Sequence, residues 1–322
     1  MSVFVTGATG YAGTAVVQEL QRCGRQVTAL VRDAGRARAL AETGAVTVVG
    51  DVRAVAGLMP AGTREVVHLA ASLFPQSDRT VNVDGSLAVL AEARRVGVRR
   101  FIYTSSALVY GPGPVDRPVS ETHPCRPNTT FARQQLAVER ALLAAADSDA
   151  FPAVILRPSQ IFGGSGGSFA ALVRRIQSGS MITGTNPEQT VSLTGLADLV
   201  DVIIRCLDAE LEPGEIFNVT SGQLAIHDLF ARIAAAHGVP APRKLPAPLL
   251  LGAGVLAGLV SRVTGRPPEF NLDVAKVAVF TGGPRVPDKA IHLLGYQPQQ
   301  RDPMRTIVSD YLRGPALAVA EK

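Results

Sequence analysis

Through the first half of the chain, short apolar runs rich in β-branched residues alternate with longer stretches whose apolar positions recur every three to four residues. Runs of the first kind suit strands buried on both faces, and stretches of the second suit helices that cover them. The pattern predicts strands at 3–6, 26–31, 46–49, 65–69, 101–104 and 153–156. It predicts helices at 12–22, 36–43, 81–96 and 130–146. Such alternation is the mark of βαβ units, so the expected fold class is α/β with a doubly wound parallel sheet. A later strand near 216–219 is expected to rejoin that sheet.

Beyond Arg157-Pro158 the alternation ends, and Gly- and Pro-rich stretches at 163–167, 179–187 and 240–248 read as loops. Two discontinuous units follow: a nucleotide-binding domain from 1–157 plus about 195–226, and a smaller substrate-binding lobe from about 158–194 plus 227–322. No repeat or low-complexity segment is visible. The apolar stretch 245–260 falls short of 18 residues and contains Pro and Gly, which argues against a spanning helix. It is expected to be a buried or lid helix beside an apolar substrate, with peripheral membrane contact the lesser alternative.

Thr6-Gly7-Ala8-Thr9-Gly10-Tyr11-Ala12-Gly13 lies between the first strand and the first helix. Gly7 permits the tight turn, Gly10 lets backbone approach a pyrophosphate, and Gly13 lets helix and sheet pack closely. The helix start adds unpaired N–H groups and partial positive charge. This is the fingerprint of a Rossmann dinucleotide site. The second strand ends at Val31-Arg32-Asp33, with Arg36 following. Arginine there accommodates the 2′-phosphate of NADP, whereas an acid holds the ribose of NAD. Arg32 favours NADP, and Asp33 keeps NAD open. Asp51 and Val52 follow the third strand, where the carboxylate is a candidate acceptor for the adenine amino group. Leu69, Ala70 and Ala71 end the fourth strand with small residues that let a flat cofactor pass. His68 beside them reads as a packed core group before it reads as a base.

Composition adds limits more than it adds chemistry. Hydrophobic residues make up 47% and charged residues 18%, ordinary for a globular enzyme. The net charge of +5 is spread over dispersed arginines, with no Trp and 5% aromatics, a poor match to a nucleic-acid binder. Cys23, Cys125 and Cys206 show neither disulfide nor zinc spacing, so no metal is expected and a reducing cytoplasm fits. The chain opens directly on a strand, leaving no room for a signal peptide. Only four lysines occur, at 244, 276, 289 and 322.

These pieces, with Asn82-Val83-Asp84-Gly85, Thr104-Ser105-Ser106-Ala107-Leu108-Val109-Tyr110-Gly111 and Leu156-Arg157-Pro158, resemble the extended short-chain dehydrogenase/reductase family, of NAD-dependent epimerase/dehydratase type. The likeness runs from residue 2 to about 222. The tail, with Gly265-Arg266-Pro267-Pro268 and Asp288-Lys289-Ala290 before Leu294-Gly295-Tyr296, looks like the dihydroflavonol-reductase and 3β-hydroxysteroid-dehydrogenase branch. The resemblance implies cofactor contacts from Asn82, Thr104, Gln135 and Pro158, family positions at Arg157, Asp198 and Asn218, and a homodimer paired through 81–96 and 130–146.

The family sets a Ser, a general-acid Tyr and, one helical turn later, a Lys that lowers the Tyr pKa and binds ribose. Ser106 matches. The stretch Glu121-Thr122-His123-Pro124-Cys125-Arg126-Pro127, continuing to Glu139, sets the register for the other two. They fall on Phe131 and Gln135. Thr130 and Gln134 cannot replace them, and Arg133 points to another face. Losing a positioned general acid costs about 10²–10⁴ in rate. Gln135 keeps the capacity to hydrogen-bond ribose. Ser106, Tyr11 and His123 are therefore the candidate catalytic groups. Three readings follow: a biosynthetic enzyme performing cyclisation, elimination or isomerisation, an NADPH-dependent carbonyl reductase with a substitute donor, and a non-catalytic NADP-binding regulator.

Overall fold

Seven parallel strands form the central sheet of the computed structural model, which describes residues 1–73, 77–113, 117–164, 166–264, 268, 270–279, 283–299 and 303–312. The strands are β1 (Ser2–Thr6), β2 (Gln26–Val31), β3 (Val46–Val49), β4 (Glu65–His68), β5 (Arg100–Thr104), β6 (Ala153–Pro158) and, later in the chain, β10 (Glu215–Val219). Their order is β10-β6-β5-β4-β1-β2-β3, and every pairing is parallel. The order reverses direction between β1 and β4, the switch point where doubly wound sheets bind ligands.

The helices that cover the sheet are α1 (Tyr11–Arg22), α2 (Ala34–Ala41), α3 (Ser86–Val96), α4 (Thr130–Asp149) and α6 (Leu196–Asp208). Alternation within each strand divides the core. Val3, Val5, Ile102 and Val154 pack with α1 and α6 residues such as Val16, Leu20, Leu199 and Ile203. Phe4, Val66, Phe101, Tyr103 and Ile155 point the other way, into a cluster with Val89 of α3 and Leu142 of α4. Strands β1, β4, β5 and β6 are buried on both faces, as their unbroken apolar runs predict, whereas β3 at the edge of the sheet leaves Val46 and Val49 exposed.

Element boundaries differ from the sequence expectations in two places with a visible cause. Helix α2 begins two residues before 36 because the Asp33 carboxylate accepts the Arg36 N–H at 2.8 Å and caps it. The expected helix 81–96 is a wider-wound turn over Thr80–Gly85 followed by α3.

The remaining elements are β7 (Gln160–Phe162), α5 (Gly167–Gln177), β8 (Ile182–Gly184), β9 (Thr190–Gly195), β11 (Gly222–Ala225), α7 (Ile226–Ala236), β12 (Arg243–Leu245), α8 (Ala247–Thr264), α9 (Leu272–Val279), α10 (Asp288–Leu294) and α11 (Pro303–Ile307). Strands β11, β9 and β7 make a three-stranded sheet, and β12 pairs with β8. Phe162, Phe169, Leu229, Phe230 and Ile233 form a separate apolar core there. Of the tail motif, residues 265–267 lie outside the described residues.

The apolar stretch at 245–260 corrects an expectation. It forms α8, but only Leu250 and Gly254 of that helix are buried. Leu249, Leu256, Leu259 and Val260 are each more than half exposed. The apolar composition runs around the whole helix, and the protein covers only one narrow stripe of it.

Candidate active site

Strand order brings the ends of β1, β4, β5 and β6 side by side, and the residues just past those ends build the site. Gly7 has φ +70°, and a Cβ there would meet Ala70 N at 2.7 Å. The loop therefore presses directly on the Leu69–Ala70 turn. At Gly13 a Cβ would stand 2.0 Å from Gly7 O, so only glycine lets α1 close over the loop. Gly10 N–H closes the turn onto Gly7 O at 2.9 Å. Gly10 is the N-cap, no side chain caps α1, and Thr9 is half-buried beside it. The first helical N–H groups are thus left for an anion. The cradle fits a dinucleotide pyrophosphate.

At the outer edge, Arg32 is exposed beyond β2, while Asp33 is committed to capping α2 and pairs with Arg36 at 3.5 Å. Asp51 is held by Arg53 through its backbone N–H at 2.9 Å and its guanidinium at 2.9 and 2.8 Å. Those bonds, chiefly the side-chain one, depress its carboxyl to about 2, with Arg32 adding a smaller pull. Any adenine contact by Asp51 must share a carboxylate already bonded. Val52 is buried, whereas Ala71 is exposed.

Beneath the loop, His68 is a core group. Its ring nitrogens meet the Thr6 and Ser86 hydroxyls, the latter at 2.8 Å, and the ring stacks on Tyr103 at 5.7 Å. Burial holds its pKa down to about 4, so it is neutral. Asn82 is also spoken for internally. Its oxygen accepts the Ser72 N–H at 2.7 Å, and its Nδ2 donates to Ser72 O and to Gln134.

Ser106 begins the short turn after β5, and its Oγ accepts the Leu108 N–H at 3.2 Å. Its O–H remains free to donate outward. Thr104 Oγ1, just before it, is buried with no protein partner. Pro158 is buried at the end of β6. His123 lies edge-on to Tyr110 with ring centres 6.1 Å apart. Tyr11 reaches past the end of β7, where its hydroxyl donates to Gly163 O. Burial, then the neighbouring Tyr311, push its pKa up, so it gives up a proton poorly.

Phe131 and Gln135 sit one turn apart at the start of α4, both buried. Gln135 Oε1 accepts from the Tyr103 hydroxyl, whose pKa burial raises well above its ordinary value. The amide is therefore anchored to the sheet. Behind it, Glu139 takes the Arg157 guanidinium at 3.1 and 2.6 Å and the Ser105 hydroxyl at 2.5 Å. Arg157 also donates to Tyr110, which donates to Asn218 at 2.7 Å, and Asn218 N–H binds Glu121. Asp198 accepts from Ser221 Oγ and Gln299 N–H. Arg157, Asn218 and Asp198 are thus anchors of the framework.

Three residues of the C-terminal part approach this region without any motif to announce them. Asp273 of α9 accepts the Thr130 N–H at 2.8 Å, and Lys276 donates to Asn128 O at 2.9 Å. Arg285 donates to Gly283 O at 2.6 Å, its Nε is buried without a partner, and burial lowers its pKa to about 10. Only the fold brings Asp273 and Lys276 to the start of α4 and sets Arg285 against Val119 and Ser192, so periodicity carried no sign of them. Among the described residues no cluster of His, Cys, Asp or Glu is placed to hold a metal.

Residues 3–220 match the model of the NAD dependent epimerase/dehydratase family. UDP-glucose 4-epimerase of Vibrio cholerae is 29% identical over 284 residues, covering 82% of this chain and 85% of that protein. The 4-hydroxy-2-methyl-3-oxo-4-farnesyl-3,4-dihydroquinoline-1-oxide ketoreductase of Stigmatella aurantiaca is 26% identical over 92% of each chain. The crystal structure of UDP-glucuronic acid 4-epimerase from Bacillus cereus in complex with NAD has a TM-score of 0.71 at 19% identity, covering 93% of this chain and 94% of that one.

Proposed function

This chain belongs to the NAD dependent epimerase/dehydratase family, and from that premise we propose that it is a biosynthetic enzyme acting on an apolar small molecule by non-standard chemistry: cyclisation, elimination or isomerisation. The observation that carries this reading is the start of α4, where Phe131 and Gln135 stand one turn apart, with Gln135 tied to Tyr103. In the family register these are the Tyr and Lys positions. Phenylalanine has no proton to give, and the anchored amide carries no charge to tune one.

When bound, a nicotinamide dinucleotide supplies hydride chemistry. Gly7, Gly10 and Gly13 would hold its pyrophosphate, Arg32 a 2′-phosphate, and Ala70 the flat part of the chain. Asp33 is committed to its helix cap, which supports NADP over NAD. Ser106 donates a hydrogen bond to a substrate oxygen and stabilises charge that develops there. Arg285, a half-buried cation whose Nε is buried without a hydrogen-bond partner, is suited to an anionic substrate group. The apolar α8 and the farnesyl-bearing substrate named for the Stigmatella aurantiaca relative both support an apolar substrate.

A second reading, NADPH-dependent carbonyl reduction, is favoured by that same relative's name, with Ser106 or His123 as the substitute donor. One experiment separates them. The protein is incubated with NADPH and the intermediate that accumulates in a strain lacking it, and product and absorbance at the nicotinamide band are followed together. Product without NADPH loss, slowed about 10²-fold in Ser106→Ala, is expected. One NADPH consumed per product would overturn the non-redox reading.

A further inference from the structure

We propose that α8 docks the protein on an anionic lipid bilayer, lying flat in the headgroup layer. The helix reverses the usual arrangement of a surface helix. Its inward stripe is small apart from Leu250 and the half-buried Leu251: Gly254 is buried, and Ala257, Gly258 and Ser261 are half-buried. Its outward face carries Leu249, Val255, Leu256, Leu259, Val260 and Val263, with Leu256 at 62% and Val263 at 88% exposure. In a helix that meets water, large apolar groups turn inward and polar ones outward. Among the described residues nothing covers the large groups, and 18 residues are long and apolar enough to meet lipid.

The charges around the helix name the partner. From 229 to 268 the sequence has no Asp or Glu, but it has Arg232, Arg243, Lys244, Arg262 and Arg266. Arg243 and Lys244 are exposed in β12 just ahead of α8, and Arg262 is exposed in its last turn. An apolar face flanked at both ends by cations, in a stretch of 40 residues without a carboxylate, complements an anionic membrane surface.

Surface docking, not spanning, follows from how the helix is tethered. On one side β12 pairs with β8 through Arg243, Lys244 and Leu245. On the other, a Cβ at Gly254 would meet Leu272 Cα at 2.9 Å, so α8 lies against the start of α9. Helix α9 is in turn bonded to the start of α4 through Asp273 and Lys276. Both ends of α8 belong to one body, so it cannot cross a bilayer without pulling that body apart. Docking places α9, which is bonded to the start of α4, near the membrane, a route for an apolar substrate. That consequence rests on the proposed function, whereas the docking does not.

The test is co-sedimentation of the full chain with vesicles of phosphatidylcholine alone and with about 30% phosphatidylglycerol at ~0.1 M salt. Binding at least about tenfold stronger to the anionic vesicles, weakening as salt rises, is expected. Leu256→Asp/Leu259→Asp should reduce it about tenfold or more, and Arg243→Glu/Lys244→Glu should abolish the anionic preference. All four positions are surface ones, and circular dichroism with NADP titration confirms that the variants fold. No partition into either vesicle would overturn the proposal. So would a concentration-dependent dimer that Leu256→Asp/Leu259→Asp dissolves while vesicles stay unbound, or resistance to alkaline carbonate extraction, which marks a span. Vesicle binding that persists while every turnover assay fails would sink the proposed function and leave the docking standing.

Discussion

The glycine loop of β1–α1 and the first two turns of α4 stand at the same edge of the sheet, but they use the chain differently. The loop works through backbone: Gly7 and Gly13 matter because they lack side chains, and the helix start offers its own N–H groups. Helix α4 would work through two side chains, and those are Phe131 and Gln135. The scaffold behind them, Glu139 with Arg157, Tyr110 and Asn218, is complete and buried. Support and chemistry are therefore separable here: the frame that positions α4 persists independently of the groups that act from it.

The sharpest way to break the comparison is at the loop. Gly13→Val puts branched carbon where Gly7 O already stands, 2.0 Å from any Cβ. Isothermal titration with NADPH should show affinity reduced about 100-fold or more, the loss expected when the pyrophosphate cradle is opened. Gly10→Val is milder, since its Cβ would meet only Gly7 O at 3.1 Å. It should fold and still lose most binding. Affinity within threefold of the parent in Gly10→Val would show that the cradle does not seat the cofactor.

Legibility in the sequence divides along similar lines. The strands of the central sheet and the glycine loop were readable because each is written in consecutive residues: apolar runs for β1 to β6, a fixed spacing for the loop. The resemblance also located Ser106, Phe131 and Gln135. What it left open was each side chain's state. Asp33 kept NAD open and Asp51 read as an adenine ligand, but capping and ion pairing already occupy both. Helix α8 was readable as apolar and not as exposed, because burial depends on what packs against a helix, and small inward residues let little pack. Asp273, Lys276 and Arg285 carry no local pattern at all. Asp273 and Lys276 reach the start of α4, and Arg285 reaches Val119, only through tertiary folding.

The next test bears on the scaffold. Glu139 and Arg157 are almost wholly buried, with side-chain exposures of 0% and 4%. Burial by itself would lower the Arg157 pKa, but hydrogen bonding and charge from Glu139 raise it. Replacing Glu139 with Gln leaves that cation without its counter-charge and should cost about 3–5 kcal/mol in urea unfolding. NADPH affinity in the folded fraction should change little, because the cradle lies at α1. A loss of cofactor affinity as large as that of Gly10→Val would show that the two regions are coupled and that support and chemistry are not separable.

The smallest effect is expected from restoring what α4 lacks. Phe131→Tyr adds a single hydroxyl. Gln135→Lys must break the bond from Tyr103 and place an ammonium where an amide was buried. A positioned general acid contributes about 10²–10⁴ in rate where its surroundings are tuned to it. Here the lysine lacks a prepared site, since Tyr103 supplies only a hydroxyl and the Glu139 carboxylate one turn on is already bonded to Arg157 and Ser105. The double variant should therefore gain no more than about tenfold in NADPH-dependent reduction of small aldehydes, or roughly 1.4 kcal/mol in the barrier. Single-turnover absorbance at the nicotinamide band measures this directly. A gain of a thousandfold would mean that the site has kept everything for hydride chemistry except two side chains. A gain near tenfold means that the surroundings of Gln135 have changed along with it, as its bond to Tyr103 indicates.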